Sequence, residues 1–195
     1  MEIKKSYVNN YEKNFKKRKD EKKTLKSEIL SWLATILLCI ILAFIINNFF
    51  IINAIVPSNS MENTIMTKDR FIGNRLAYKF SEPERFDIIV FKWPDDETQL
   101  FVKRIIGLPG DKVEIVDGIL YINDKVIEEP YLKEAPYTSD FGPYNVPEGH
   151  YFTLGDNRNW SEDSRLWENT YVPYKNIVAK PIFKYLPSFE ILLDK

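Results

Sequence analysis

Ser60 and Lys103 are the side chains whose types and settings point to covalent chemistry. Lys103 stands in the run Phe-Val-Lys-Arg-Ile-Ile, and in a strand its side chain would share one face with Phe101 and Ile105. Apolar neighbours disfavour a charged ammonium and lower the pKa of a lysine. A neutral lysine can accept the proton of a serine hydroxyl, which permits nucleophilic acyl transfer. The alternative is a lysine whose stem packs on apolar neighbours while its head stays in water.

A dense polar stretch, residues 155–165, follows the apolar run at 151–154 and reads Gly-Asp-Asn-Arg-Asn-Trp-Ser-Glu-Asp-Ser-Arg. It is either a solvated loop whose surface ion pairs contribute little or a buttress for a functional site. In the second reading Ser161 hydrogen-bonds a catalytic group, and charged side chains cross-link the loop. Those side chains are Asp156, Arg158, Asp163 and Arg165. Composition alone leaves both readings open.

The counts of cysteine and histidine exclude several kinds of site. Cys39 is the only cysteine and His150 the only histidine, so an internal disulfide, a cysteine zinc site and a multi-histidine metal site are all excluded. We therefore predict neither a metal nor a cofactor. His150 could be the base of a Ser-His-Asp triad, but it lies at the predicted start of a strand and outside the polar motifs. A structural role for it is favoured.

A long apolar segment precedes the candidate serine. No charged residue occurs between Ile29 and Met61, and about 20 apolar residues suffice to cross a bilayer. A buried soluble helix with no polar face is disfavoured beside a domain of this size. A cleavable signal peptide would have a shorter core and a shorter basic lead. We predict an uncleaved transmembrane anchor over residues 29–52.

Charge is distributed unevenly on the two sides of this segment. Residues 1–28 contain ten Lys/Arg and five Asp/Glu, a net charge of +5, whereas the remainder contains 17 and 23, a net charge of −6. The positive-inside rule predicts a basic cytoplasmic tail at 1–28 and an extracytoplasmic domain at 53–195. A basic tail ahead of an acidic domain also argues against nucleic acid as the main partner.

The predicted domain has a mainly β pattern. Short runs rich in β-branched and aromatic residues alternate with turn signals from Arg70 to Tyr185. Asp117-Gly118 between two apolar runs predicts a hairpin, and the Leu-Pro-Gly-Asp sequence at 108–111 predicts a turn. The pattern predicts one mainly β domain on a single N-terminal transmembrane helix.

Three ordered motifs resemble the conserved boxes of the type I signal peptidases, a family of Ser-Lys dyad serine proteases. Residues 58–65 read Ser-Asn-Ser-Met-Glu-Asn-Thr-Ile and resemble the family's serine box. Residues 103–111 read Lys-Arg-Ile-Ile-Gly-Leu-Pro-Gly-Asp and resemble its lysine box. The stretch 155–165 matches the third box in full. The resemblance implies the signal-peptidase-like, LexA-like β-rich fold.

The resemblance also implies a role for each matching position. Ser60 would be the nucleophile and Lys103 the general base. The hydroxyl of Ser58 and the backbone N–H of Ser60 would form the oxyanion hole, and Ser161 would orient the lysine. Structural support would come from Asp156, Arg158, Asp163 and Arg165. Shallow apolar pockets for small substrate residues would be formed by Val56, Ile65, Phe101 and Val102.

Two positions depart from the family pattern, and other readings remain open. Asn59 stands where many members have Gly and is expected to tolerate a left-handed backbone. Asn63 stands where most have Pro and is expected to loosen the turn after the serine. LexA-like repressors share the dyad but carry a DNA-binding domain where this chain has a span. A catalytically silent anchored binding protein could tolerate the loss of Ser60 or Lys103, but both are present, which favours activity. A membrane-tethered scaffold explains the anchor but leaves the motifs unexplained.

By resemblance, the chain is expected to be a membrane-bound serine endopeptidase that removes signal peptides from exported preproteins after Ala-x-Ala sequences. Its expected partners are secretory preproteins, the lipid bilayer and, functionally, the protein export machinery. Its expected location is the cell membrane, in a single-pass topology with the N-terminus in the cytoplasm.

Overall fold

The computed structural model describes the backbone of residues 2–192 and the side chains of residues 14–18 and 26–192. It divides into a helical unit up to Ile46 and a β unit from Asn47 onward. The helical unit is formed by α1 (Glu2–Ile45). Part of the predicted basic tail, at residues 2–13 and 19–25, therefore lies outside the described side chains.

The predicted anchor falls on helical backbone for most of its length. The segment Lys26–Phe50 has a mean hydropathy of 2.9 over its best window, and it is long and apolar enough to cross a membrane. Its side chains are exposed on every face, which suits contact with lipid rather than with a protein core. A π-helical turn, Ile46–Phe50, ends the helical stretch, and the chain becomes a strand at Ile51. The predicted boundary at residue 52 thus lies inside a strand.

The β unit contains a large antiparallel sheet and a smaller one. The large sheet has the order β1-β2-β11-β3-β4-β9-β10, with β12 paired to β11; the small sheet has the order β7-β6-β5-β8. The strands of the large sheet are β1 (Ile51–Ile55), β2 (Arg70–Asn74), β3 (Ile88–Trp93), β4 (Asp96–Gly107), β9 (His150–Leu154), β10 (Val172–Pro173), β11 (Ile177–Leu186) and β12 (Glu190–Ile191). Those of the small sheet are β5 (Lys112–Val116), β6 (Ile119–Ile122), β7 (Lys125–Val126) and β8 (Phe141–Asn145). The mainly β prediction is confirmed.

Two turns in the small sheet's part of the chain form where the sequence predicts them. Val116 pairs with Ile119, and both Asp117 (φ 51°) and Gly118 (φ 78°) have the positive φ that a tight hairpin turn requires. The predicted turn at 108–111 also forms, because Asp111 N–H donates to the carbonyl of Leu108 at 3.0 Å. Both turn predictions are confirmed.

Strand β4 is the element that positions the candidate site. Its end carries Lys103 opposite Ile89 of β3, and Arg104 opposite Leu154 of β9. Strand β9 ends at Leu154, and Gly155 follows it directly in the chain. Apolar clusters flank this strand: Met61, Ile65 and neighbouring residues on one side, and an aromatic group that includes Phe101 on another.

Candidate active site

Ser60 stands on a turn that its neighbours hold in place. Ile65 N–H donates to the Met61 carbonyl at 2.8 Å, which closes the turn after the serine. Asn157 donates from its backbone N–H to the Ser60 carbonyl and from its side chain to the Asn59 carbonyl, each at 3.0 Å. The polar stretch predicted as a loop or a buttress is therefore bonded directly to the serine turn.

The two departures from the family pattern have different backbone conformations. Asn59 does not have a positive φ, whereas Asn63 does, at 95°. The Asn63 side-chain amide donates to the carbonyl of Tyr131 at 3.0 Å, so it fastens the turn to the segment after β7. The expectation that Asn63 loosens this turn stays a prediction; the structure adds one restraint, the hydrogen bond of its side chain, where a proline would supply a ring.

Ser60 and Lys103 line one cavity of about 510 Å³, which we term the serine–lysine cavity. Ser58 lines it as well, and its hydroxyl oxygen lies 3.4 Å from that of Ser60. All four predicted pocket residues are also in its wall: Val56, Ile65, Phe101 and Val102. The cavity thus brings the predicted nucleophile, base and hydroxyl donor together with apolar walls.

Lys103 has a dry setting. It is 3% exposed, and its Nζ lies 5.6 Å from the centroid of the Phe101 ring. Burial lowers the pKa of Lys103 to about 8, from an ordinary value of about 10.4. The neighbouring charges act in both directions: Asp163, Glu162 and Asp156 raise it, and Arg165 lowers it. Desolvation dominates, so a neutral amine is accessible near neutral pH.

Ser60 and Lys103 are not hydrogen-bonded to each other in this structure. Among residues 26–192, Lys103 Nζ forms no hydrogen bond, and Ser58 is the one side chain that the Ser60 hydroxyl meets at hydrogen-bonding distance. The backbone N–H of Ser60 likewise donates to no group in that range. Catalytic hydrogen bonds are often long in unliganded sites and tighten with substrate. The donors required by an oxyanion hole are therefore free here.

Ser161 lies at the back of the site and does not line the serine–lysine cavity. Its hydroxyl is buried and has no hydrogen-bond partner within the described residues. It lies against Gly155, where a Cβ atom would fall 2.3 Å from Ser161 Oγ. A buried hydroxyl without a partner and a lysine amine that forms no hydrogen bond are chemically complementary. The predicted orienting role of Ser161 remains a proposal.

The four predicted support residues form ion pairs: two of them pair with each other, and two pair with residues outside the set. Asp163 binds Arg165, with 2.8 Å between Oδ1 and Nε. Arg158 instead forms a buried two-pronged pair with Glu129. Asp156 accepts two hydrogen bonds from Arg104, at 2.8 and 2.7 Å, with side chains 1% and 0% exposed. The loop is therefore cross-linked to β4 and to the segment after β7 rather than only to itself.

Sequence reasoning assigned no role to Arg104, Glu129 or Gly155. Arg104 follows Lys103 in a strand, so its side chain points to the opposite face, and that alternation was the available signal. Glu129 lies 29 positions from Arg158, and no local pattern links them. His150 lies elsewhere: its Nδ1 is 2.9 Å from the Glu148 carbonyl oxygen, and it does not line the serine–lysine cavity.

Asp156→Asn is expected to lower the free energy of unfolding by about 3–5 kcal/mol, because the change removes the buried carboxylate that accepts two hydrogen bonds from the Arg104 guanidinium. Asp124→Asn is the matched control: its pair with Lys112 is exposed, so its loss is expected to leave the stability nearly unchanged. Denaturant unfolding of both variants measures the difference. Equal stabilities would contradict the role of the buried pair.

Comparisons with known proteins agree with these motifs. The family described as "Signal peptidase, peptidase S26" matches residues 29–186. "Probable signal peptidase I-2" of Synechocystis sp. is 40% identical over 138 residues, which cover 68% of this chain and 62% of that protein. "Probable thylakoidal processing peptidase 2, chloroplastic" of Arabidopsis thaliana is 40% identical over 143 residues, which cover 70% of this chain and 38% of that protein. The chain thus spans less than two thirds of the length of these relatives.

A solved structure is similar as well. The crystal structure of a signal peptidase I from Enterococcus faecalis V583 is 40% identical, with a TM-score of 0.45. The aligned region covers 51% of this chain and 97% of the chain in that crystal structure.

Proposed function

The chain belongs to the signal peptidase family, peptidase S26, and on that premise we propose that it is a membrane-bound serine endopeptidase that removes signal peptides from exported preproteins. Ser60 is the nucleophile and Lys103 the general base. The observation that carries this proposal is the shared cavity, in which a 3% exposed lysine and two serine hydroxyls meet among apolar walls. No cofactor is required for this chemistry.

The reaction begins with proton transfer. Neutral Lys103 takes the Ser60 hydroxyl proton as Oγ attacks the scissile carbonyl carbon, and a tetrahedral oxyanion forms. The free backbone N–H of Ser60 and the hydroxyl of Ser58 donate to that oxyanion; a single such donor contributes about 3–4 kcal/mol where measured. Ser161 donates to or accepts from the lysine and holds it toward Ser60, once one of the two side chains has moved within hydrogen-bonding distance of the other.

Two further proton transfers complete the cycle. The protonated Lys103 gives its proton to the leaving amine as the peptide C–N bond breaks, which leaves an acyl-Ser60 ester and a neutral lysine. Lys103 then takes a proton from water, whose oxygen attacks the ester. Collapse of the second tetrahedral intermediate releases the new carboxyl end and returns the proton to Ser60.

The cavity walls support a preference for small residues before the cut. Val56, Ile65, Phe101 and Val102 provide shallow apolar surfaces, and Ile65 is fully buried, which limits the depth available to a side chain. We therefore include cleavage after Ala-x-Ala sequences in the proposal.

The apolar helix supports the cellular setting. The segment Lys26–Phe50 anchors the chain in a bilayer, with the basic tail in the cytoplasm and the catalytic domain on the extracytoplasmic side. Preproteins emerge there from the export machinery, so the functional partners are secretory preproteins, lipid and that machinery.

Cleavage of a test preprotein by the full-length chain in detergent tests the function. Mass analysis of the product is expected to show a new N-terminus directly after Ala-x-Ala. Ser60→Ala is expected to abolish this product, because no other hydroxyl occupies the position of attack. His150→Ala serves as the control and is expected to cleave normally, since His150 lies outside the cavity. Cleavage by Ser60→Ala would exclude this mechanism.

The pH dependence of cleavage follows from the lysine. The active form is neutral and the pKa of Lys103 is about 8, so about one molecule in ten is competent at pH 7. The rate is expected to rise about tenfold per pH unit below pH 8 and to level off above it. Initial rates between pH 6 and 9.5 measure this profile. A flat profile would exclude lysine as the base.

A further inference from the structure

The serine–lysine cavity contains an acidic residue that the proposed reaction does not use. Glu162 is exposed and lies in the wall that also contains Ser60 and Lys103. Lys103 and Glu162 are the ionisable side chains of that wall; its other members are apolar, aromatic or uncharged polar residues. Glu162 therefore provides the permanent charge that a substrate meets at this site.

Two other carboxylates act on Lys103, and each of them forms an ion pair with an arginine. Asp163 is paired with Arg165, and Asp156 with Arg104. Glu162 forms no hydrogen bond or ion pair with any described residue. Apart from its Coulomb interaction with the protonated Lys103, its charge is therefore uncompensated, and it acts on whatever enters the cavity.

The charge of Glu162 has its largest effect when Lys103 is neutral, which is the form that reacts. Proton abstraction requires a neutral Lys103, so the cavity carries a net charge of −1 whenever it is ready to react. Apolar walls strengthen such a field because they exclude water. An aromatic side chain adds to the same preference: Trp160 is 62% exposed and lines the cavity beside Glu162. An indole face next to a carboxylate favours a lysine or arginine side chain.

We infer that Glu162, together with Trp160, makes the enzyme selective for charge, so that it prefers substrates with a basic residue near the scissile bond over substrates with an acidic one. This inference rests on the proposed function and specifies the substrate preference of the same site. Glu162 is a specificity-determining residue in this account and takes no part in proton transfer.

A charge scan of the substrate tests the inference. Test preproteins carry Lys, Gln or Glu at each position within three residues of the cut, except those that need a small side chain. The full-length wild type and the Glu162→Gln variant are each assayed on all these substrates. At each position, the cleavage rates of the Lys and Glu substrates are divided by that of the Gln substrate. This ratio cancels any effect of the substitution on the base itself. Glu148→Gln is the matched control, because it removes one exposed charge outside the cavity.

In wild type, at least one position is expected to show an about three- to tenfold faster rate for Lys than for Glu at low salt. Glu162→Gln is expected to reduce this ratio to about one, while Glu148→Gln keeps it. The wild-type ratio is also expected to fall in 0.5 M salt, since exposed charges are screened. These results would support the inference.

Cleavage of the Gln substrates with equal rates for Lys and Glu at every position would overturn the inference and leave the proposed function standing. A charge preference that survives in Glu162→Gln would also overturn it. Failure of wild type to cleave any Gln substrate would instead overturn the proposed function, and the inference with it.

Discussion

Replacement of Lys103 by methionine is expected to lower the rate of preprotein cleavage by about 10³- to 10⁴-fold. Methionine has a similar length and packs in the same apolar setting, but it cannot accept the Ser60 proton. General-base catalysis contributes a factor of this size, and no other described base lines the cavity except the exposed Glu162. Single-turnover cleavage assays at pH 8.5, where wild type is near its plateau, measure the loss.

The same substitution is expected to stabilise the protein at neutral pH. Burial lowers the pKa of Lys103 to about 8, so below pH 8 the folded state holds an ammonium in a dry site. The shift from about 10.4 corresponds to a cost of about 3 kcal/mol. Between pH 8 and 10.4 the unfolded chain binds the proton and the folded chain does not, so wild-type stability rises through that window. Methionine removes the cost at every pH.

Unfolding at two pH values separates this effect from ordinary packing. Lys103→Met is expected to exceed wild type in stability at pH 7 by a margin that largely disappears above pH 10.4. Lys175→Met is the matched control on an exposed side chain and should follow wild type in cleavage and in the pH dependence of stability. A margin for Lys103→Met that does not change with pH would contradict the buried-ammonium account, and retained cleavage would contradict the base.

Local chemistry explains which parts of the fold could be predicted from the sequence. The hairpin at Asp117-Gly118 requires positive φ at two positions, and Asp and Gly are among the residues that adopt positive φ most readily. Alternation in β4 likewise separates the face of Lys103 from that of Arg104. These features depend on neighbours only a few residues apart, and a single sequence contains them.

Strand β1 could not be predicted, because its residues continue an apolar run without a change of period. Ile51–Ile55 becomes a strand by pairing with β2, and Ile52 is buried in the core beneath the serine turn. That pairing is a tertiary interaction, which overrides the local pattern. The helical and extended readings of a short apolar run are equivalent in sequence.

The partners of the charged loop were unpredictable for a similar reason. Asp156 and Arg158 could have paired with each other, and only the packed structure directs one to Arg104 and the other to Glu129. Complementary charges in one loop fix no geometry. The buried pairs instead depend on β4 and the segment after β7 meeting around residues 155–158.

Gly155→Ala is expected to reduce cleavage by about 10²-fold or more, although the residue carries no functional group. A Cβ atom at this position would lie 2.4 Å from the Ser60 carbonyl oxygen and 2.3 Å from Ser161 Oγ. Both distances are far below van der Waals contact, so at least one neighbour must move. The hydroxyl of Ser161 can rotate away, but Ser161 Cβ, at 2.6 Å, cannot do so. The Ser60 carbonyl is backbone and is held by Asn157 N–H at 3.0 Å.

Relief of the clash therefore displaces the backbone of the nucleophile. Displacements approaching 1 Å from a reactive geometry reduce rates by about 10²-fold, because the alignment of nucleophile, base and oxyanion donors is lost together. Overpacking is also expected to lower the free energy of unfolding by about 1–3 kcal/mol. Cleavage rates measured well below the melting temperature of the variant separate the two effects.

Gly107→Ala is the matched control. It introduces a similar clash, with a Cβ atom 2.7 Å from Val113 Cγ2 and 2.8 Å from Val146 Cγ2, in the core of the small sheet rather than behind Ser60. It is expected to lose comparable stability and to keep cleavage while folded. If Gly155→Ala cleaved as fast as Gly107→Ala under those conditions, the Ser60 backbone could shift without loss of alignment. The nucleophile would then not depend on the close approach of Gly155, and the hydrogen bonds of Asn157 and of the turn itself would suffice to hold it.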